Sequence, residues 1–362
     1  MFSEKLKELS FFLYRDIQTQ EHMLTYLFWE CTLKCNLSCL HCGSDCLKES
    51  KSKDMPVEDF IPVLNDIKQN LKTRLLTVII TGGEPLLRKD LEKAGLEIIK
   101  RGFHWGIVTN ALLMTHERFT SLLNVGLSSI SFSFDGIGED HNYLRQNPLS
   151  YKKVCDAIDF ALKVQNKYPG RLVFDVITSV HPKNLPHLSE IRDYLISHGV
   201  KRWRIFSIFP AGRGDINKEK LTLSKEQYKD MMDFIADTRT DYGDKIHVSY
   251  ACEGYLGDYE QKVRDFRFFC HGGINIGSVM SDGSISACLS VRGKDFIQGN
   301  IYKDKFSDIW NNRFKPMRDR EWAKKGKCAE CKKWKFCLGN GLHMYKSMSD
   351  SPERCNWELL KD

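Results

Sequence analysis

Three cysteines, Cys35, Cys39 and Cys42, stand in the segment WECTLKCNLSCLHCGSDC with the spacing C-x3-C-x2-C. Thiolates this close on one loop can bind three irons of a cubane and leave the fourth open, because the loop has no further ligand to give. An open iron is a place where a small chelating molecule can bind. Structural zinc is the competing account, but it usually draws four ligands from paired C-x2-C elements, and the triplet fits that poorly. The chain holds thirteen cysteines in 362 residues. An odd and large number argues against a pure disulfide framework and for metal or cluster ligation.

A second group comprises Cys270, Cys288, Cys328, Cys331, Cys337 and Cys355, with Gly283 five residues before Cys288. Here a zinc ribbon competes more seriously, through the C-x2-C pair at Cys328 and Cys331. Cys31 and Cys46 flank the first triplet and read as free thiols, and Cys155, near Ile158 on an expected helix, reads as a core residue.

The elements that must position these groups are legible as alternation. Strands are expected at 25–30, 75–81, 106–109, 129–135, 172–180 and 204–209, where short β-rich runs recur. Between the first two lies VEDFIPVLNDIKQN, whose Val57, Phe60, Ile61, Leu64 and Ile67 keep helical spacing. Further helices are expected near 90–101, 116–123, 151–164, 188–198 and 225–236. Six strand–helix units with right-handed crossovers make an α/β chain with a parallel sheet, a partial (β/α)6 TIM-like barrel. In such a fold the active site lies at the C-terminal strand ends, where the notable motifs of the first 215 residues fall. From about Asp241 the alternation stops and Gly, Cys and short polar turns take over. The expected division is therefore an N-terminal extension over 1–20, the barrel over 21–240, and a small cysteine-rich region over 241–362 that needs metal to fold.

With the triplet placed after the first strand, the chain resembles the radical S-adenosylmethionine (SAM) superfamily. That resemblance implies a [4Fe-4S] cluster on Cys35, Cys39 and Cys42 whose open iron chelates the methionine moiety of SAM. One electron then cleaves SAM, and the 5′-deoxyadenosyl radical abstracts a substrate hydrogen. The other landmarks occur in order. TGGEP, with Gly82, Gly83 and Glu84, matches the stretch that bonds the SAM amino group, and a glycine pair permits close backbone approach. Asn110 in VTNA matches a TNG-like turn, and Ser133 and Asp135 in SFSFDG match a Ser-x-Asp-Gly pattern near SAM. Arg145 resembles an arginine near the SAM carboxylate, for which a guanidinium offers two parallel hydrogen bonds. His41 stands where relatives carry an aromatic residue beside the adenine, with an ordinary surface histidine as the alternative.

The C-terminal cysteines resemble the SPASM extension of peptide and protein maturases, which holds up to two auxiliary clusters. By that pattern Cys328, Cys331, Cys337 and Cys355 hold one complete [4Fe-4S] cluster. At the other auxiliary site the cysteine expected four residues after Cys337 is Gly341. Cys270 and Cys288 remain, Cys252 is the candidate third ligand, and substrate, water or His343 fills the last position. Relatives of the sulfatase-maturase type carry an aspartate base directly after the second auxiliary cysteine. Here that residue is Leu289, which cannot accept a proton, so formylglycine formation falls behind other peptide or protein modifications. The chain as a whole resembles maturases encoded beside small lipoproteins, which makes a lipoprotein the implied substrate. The resemblance also implies a low-potential electron donor such as flavodoxin or ferredoxin.

Two other classes stay open: a catalytically silent iron–sulfur or zinc scaffold, and a radical SAM enzyme acting on a small molecule. Nucleic acid is not an expected partner. The formal charge is +7, but Lys and Arg are dispersed among acids without a basic block. Cluster thiolates offset part of that charge, about −1 for three and about −2 for four per [4Fe-4S] unit, leaving a holo-protein near about +3. The N-terminus lacks the long uncharged stretch of a signal peptide and no run reaches the length of a membrane span, so a cytoplasmic enzyme is expected. Asp282, Glu253 and Arg213 stand as candidate groups at the mouth of the site.

Overall fold

Val57, Phe60, Val63, Leu64 and Ile67 recur at helical spacing and bury one face of the helix Val57–Asn70. That face lies on a sheet whose central strands are apolar on both sides, as a sheet covered by crossover helices requires. The computed structural model describes residues 2–50, 52–251 and 253–361. Its strands are β1 (Tyr26–Thr32), β2 (Thr77–Gly82), β3 (His104–Thr109), β4 (Leu127–Ser133), β5 (Val173–Val180), β6 (Arg202–Ser207), β7 (His247–Tyr250), β8 (Ile276–Val279), β9 (Ser284–Ser286) and β10 (Ile297–Asn300). They form one sheet in the order β10-β9-β8-β1-β2-β3-β4-β5-β6-β7.

Strands β1 to β7 are parallel neighbours in chain order, with Tyr26 opposite Thr77 and Ile80 opposite Ile107. All six expected strands are present. Two parallel strands come from beyond residue 241. β7 adds to β6, and β8 pairs with the free side of β1, Tyr26 opposite Ile276. Each is only four residues long and interrupted by Ser or Gly, which is why neither stands out as a β-rich run. β9 and β10 continue antiparallel from β8.

The N-terminal segment is a helix, Phe2–Glu21. Phe11 packs against Phe269 (ring centroids 6.4 Å apart) and Phe12 against Phe336 (5.1 Å), so the first helix is held by the cysteine-rich C-terminal region. No helix among the described residues is long and apolar enough to cross a membrane.

One packing unit anchors the base of the cysteine loop. Trp29 on β1 stacks on Phe60 with centroids 4.3 Å apart and planes 4° from parallel. The Arg88 guanidinium sits 5.1 Å from the Trp29 ring and donates to the carbonyls of Cys31 (2.7 Å) and Met55 (2.9 Å). Truncating a fully buried aromatic leaves a cavity the neighbours cannot fill. Phe60→Ala is expected to cost about 3–5 kcal/mol of stability, read as a lowered midpoint in guanidinium unfolding with an unchanged m-value.

Candidate active site

The cysteine loop begins where β1 ends. Thr32 donates to Asp54 (2.6 Å) and accepts from the amide of Lys34 (3.0 Å), and the Cys35 amide donates to the Leu47 carbonyl (2.8 Å). From the far side Arg213 donates to the carbonyls of Cys39 (2.8 Å) and Cys46 (2.9 Å) and to Asp45 (2.7 Å). Cys35, Cys39 and Cys46 are buried with Leu37, and Cys42 and Leu112 pack against them.

Each thiol of the triplet meets one polar donor. Asn110 Nδ2 points at Cys35 Sγ (3.8 Å), Arg145 Nη1 at Cys39 Sγ (3.8 Å), and the Cys46 amide at Cys42 Sγ (3.4 Å). Burial pushes the Cys35 thiol up to about 12 and raises Cys39, whereas hydrogen bonds from Cys46 bring Cys42 down to about 5. Metal ligation by Cys35 and Cys39 would therefore release protons. Among the described residues no three His, Cys, Asp or Glu side chains converge on a single ion.

The turn after β2 presses against this loop. The amide of Gly83 donates to the Thr32 carbonyl (2.8 Å) and that of Glu84 to the Lys34 carbonyl (2.9 Å). A Cβ on Gly82, which has φ +136°, would stand 2.1 Å from Thr32 O, and one on Gly83 would stand 2.0 Å from Lys34 O. The glycine pair thus serves backbone contact with the cysteine loop itself. Glu84 is 1% exposed. Its carboxylate accepts from the Leu86 amide (3.0 Å), Thr109 Oγ1 (2.8 Å) and the Asn110 amide (2.8 Å), tying the ends of β2 and β3 together.

At the end of β4, Ser133 is partly buried and Asp135 fully buried. Asp135 accepts from Arg145 Nε (2.6 Å) and the Ser179 amide (2.8 Å). Burial works against the Asp135 charge, but Arg145 and nearby histidines overcome it and hold the carboxyl at about 2. The pair aims Nη1 of the guanidinium at Cys39 of the triplet. Three buried nitrogens around this place have no hydrogen-bond partner: Asn36 Nδ2, His41 Nδ1 and His181 Nε2. Such orphans in a polar pocket fit a site shaped for a bound group. His41 also borders a cavity of about 180 Å³ with Ile177, Ser179 and Phe209.

A larger cavity of about 310 Å³ joins the two cysteine groups, with Cys42 on one wall and Cys288 on the other. Phe28, Phe209 and Leu289 give it apolar surface, and Glu30, Ser44 and Arg292 give it a polar edge. Arg292 pairs with buried Glu30 and donates to Ser44 (2.7 Å). Burial, with Cys270 adding to it, raises the Cys288 thiol, and a Cβ on Gly272, two residues after Cys270, would lie 3.5 Å from Ala287, the residue before Cys288. Cys252 lies outside the described residues. Further on, burial and the thiols of Cys331 and Cys355 raise Cys328, and burial pushes Cys337 up to about 11 with Cys355 adding to it. Cys355 is thus the residue shared by both neighbourhoods. Asn340 links the segments of Cys337 and Cys355, its amide donating to Cys337 Sγ (3.1 Å) and its side chain to the Arg354 carbonyl beside Cys355 (2.9 Å). The twelve described cysteines are all free of disulfides, and Cys155 packs against the core.

Of the three candidate mouth residues, Arg213 is the loop clamp described above. Glu253 is buried and held by Arg354, Ser207 and Tyr250. Asp282 is exposed in the β8–β9 turn, accepting from the Ser284 amide (2.9 Å). Reading the sequence missed the Glu30–Arg292 pair. Its partners lie 262 residues apart, and only the pairing of β8 with β1 brings them together.

Comparison with known proteins agrees with this geometry. Residues 29–195 match the model of the radical SAM superfamily, and residues 270–332 match that of SPASM, an iron–sulfur cluster-binding domain. An AdoMet-dependent heme synthase of Methanosarcina barkeri is 25% identical over 340 residues, covering 89% of this chain and 92% of that protein. The PqqA peptide cyclase of Rhizobium meliloti is 22% identical, covering 86% of this chain and 80% of the cyclase. Among solved structures, Streptococcus suis SuiB bound to S-adenosylmethionine shares the fold with a TM-score of 0.69 at 17% identity, covering 91% of this chain and 76% of SuiB. The chain belongs to the radical SAM superfamily and carries a SPASM region. It is an enzyme whose cofactors are [4Fe-4S] clusters and S-adenosylmethionine.

Removing one member of a buried ion pair strands the other charge. Arg145→Met is expected to cost about 3–5 kcal/mol, and Arg145→Met combined with Asp135→Asn to recover most of that loss, both read by guanidinium unfolding. Glu84 gives a pH signature. Burial raises its carboxyl from 4.5 to about 7, so its contribution to stability is fully present below the lower value and is lost as pH rises through the higher one. Melting temperatures measured across that interval should fall less steeply in Glu84→Gln than in the parent.

Proposed function

We propose that Cys35, Cys39 and Cys42 hold the SAM-binding [4Fe-4S] cluster and that the enzyme abstracts hydrogen from a peptide or protein substrate. The bound cluster and SAM supply an electron and a 5′-deoxyadenosyl radical. The chain supplies position and enclosure. Asn110, Arg145 and the Cys46 amide donate toward the three thiolates. Arg145, held by Asp135, faces the side where the SAM carboxylate binds, Glu84 and the Gly82–Gly83 turn bound the amino side, and His41 and Ser133 border the nucleoside side. Cys328, Cys331, Cys337 and Cys355 take one auxiliary cluster, and Cys270, Cys288 and Cys252 a second. In this reading residues 21–240 form the SAM barrel, and 241–362 lend it two strands as well as the auxiliary sites.

The observation that carries the substrate class is the cavity between Cys42 and Cys288. At about 310 Å³ it lies at the small end of ligand pockets and suits a single side chain presented by a longer polymer. The apolar Leu289 in its wall offers no base, which favours radical crosslinking or epimerisation over formylglycine formation. The peptide cyclase among the relatives, and the SuiB fold determined with its precursor peptide SuiA, support a peptide. A small lipoprotein is the candidate implied by the resemblance to lipoprotein-associated maturases, and flavodoxin or ferredoxin the candidate donor. A second reading, a tetrapyrrole substrate, is supported by relatives named as heme synthases that match nearly full length.

Anaerobically reconstituted enzyme with SAM and a low-potential reductant should form 5′-deoxyadenosine, and Cys35→Ala should abolish it. Complete absence of product with substrate supplied would favour the silent scaffold. Adding the candidate peptide should change its mass, whereas SAM-dependent turnover of an iron tetrapyrrole without any peptide would establish the second reading.

A further inference from the structure

The SPASM-like cysteine pattern is broken at Gly341, and the space beside that glycine is filled. A Cβ built on Gly341 would stand 2.6 Å from Cε1 and 2.8 Å from Nδ1 of His343. The imidazole two residues on occupies the volume that a side chain at 341 would need. A side chain at 341 would require the imidazole to move from its present position.

The imidazole also has an unused nitrogen. His343 Nε2 is buried and has no hydrogen-bond partner. A buried polar atom left unpaired is destabilising, and iron ligation is a chemistry that would use it, since neutral imidazole is a common metal ligand. The segment that carries it packs against those that carry Cys270 and Cys288. The His343 ring lies 4.8 Å from that of Phe209, which lines the cavity together with Cys288. Gly272, two residues after Cys270, lies where a Cβ would meet Leu342 at 2.9 Å and Ala287 at 3.5 Å. The neighbours of Cys270, Cys288 and His343 are thus packed on one another. The Gly341 amide reaches the Glu253 carbonyl at 3.5 Å, so the segment following Cys252 runs along the same wall. Glu253 is the one acidic side chain acting on the imidazole, and its Oε2 is already engaged by Arg354, Ser207 and Tyr250.

We infer that His343 Nε2 is the non-cysteine ligand of the auxiliary [4Fe-4S] cluster held by Cys270 and Cys288, in the place of the cysteine lost at Gly341. The inference rests on the proposal that those cysteines hold a cluster. A neutral imidazole in place of a thiolate makes the cluster less negative and raises its reduction potential relative to an all-cysteine site. The ligand change would therefore make this centre an easier electron acceptor than its neighbour on Cys328, Cys331, Cys337 and Cys355.

The test uses the full chain carrying Cys35→Ala, Cys39→Ala and Cys42→Ala, so that only auxiliary clusters remain after anaerobic reconstitution. Pulsed electron–nuclear spectroscopy of the reduced protein, with and without ¹⁵N-histidine, should show one strongly coupled nitrogen that shifts with the isotope. His343→Ala should lose that coupling. Gly341→Cys combined with His343→Ala should hold a cluster of full iron content with no nitrogen coupling and a lower potential, which separates ligation from a folding defect. Absence of the coupling in the parent, or its persistence in His343→Ala, overturns the assignment. If the nitrogen is absent while Cys270→Ala with Cys288→Ala still removes about four irons, only the His343 assignment falls. If that cysteine pair can be removed without loss of iron, the auxiliary-site reading falls, and His343 with it.

Discussion

The backbone contact between the cysteine loop and the turn after β2 governs much of the rest of this structure. Two amides, of Gly83 and Glu84, bond the carbonyls of Thr32 and Lys34, and both glycines lie so close to that loop that no Cβ fits. A loop of three buried thiols has little regular structure to hold it, so it must borrow rigidity from its neighbours. The β2 turn supplies one side, Arg213 from beyond β6 supplies the other, and Trp29, Phe60 and Arg88 fix the base. Glu84 then carries the constraint sideways to β3 through Thr109 and Asn110, and Asn110 returns it to Cys35. The strand ends form a closed circuit of hydrogen bonds around the triplet rather than a row of independent loops.

The same economy appears at Asp135 and Arg145. A buried carboxylate is costly unless it is paired and hydrogen-bonded, and Asp135 has both Arg145 and the Ser179 amide. The pairing leaves the guanidinium oriented with a nitrogen free to face Cys39. Orientation of a charge by a second buried charge is a way of placing an anion-binding group with little freedom to relax when its ligand arrives. The opposite arrangement holds at the C-terminal sites, where the thiols of Cys328, Cys331, Cys337 and Cys355 are only partly buried and short turns carry them. A cluster bound there would add cohesion that those short turns do not supply by themselves.

Much of this was legible in the sequence, for a physical reason. The apolar runs of β1 to β6 and the helical spacing of Val57, Phe60, Leu64 and Ile67 are local signals, and they locate the strand ends to within two residues. Motifs anchored at those ends, from Cys35 to Arg145, are therefore gathered at one end of the sheet by the same local signals. What escaped depends on long-range pairing. β7 and β8 are too short to announce themselves, and without β8 there is no reason to bring Arg292 to Glu30. Arg213 and Glu253 looked like charges at a mouth, because a sequence does not show that one clamps carbonyls and the other is sealed under Arg354. The purpose of Gly82 and Gly83 was also only half visible: their lack of side chains was evident, but the backbone they accommodate was not.

The pairing of β8 with β1 bears on how the chain is made. During synthesis β1 to β6 can assemble in order as each crossover emerges, since every contact joins neighbours in sequence. One edge of β1, however, finds its partner only when Ile276–Val279 has left the ribosome. Until then the wall of the cavity that bears Cys288, Leu289 and Arg292 does not exist, and the first cysteine loop is exposed on that side. The architecture therefore includes an interval in which the strand and loop of the triplet have been made while the wall that covers them has not.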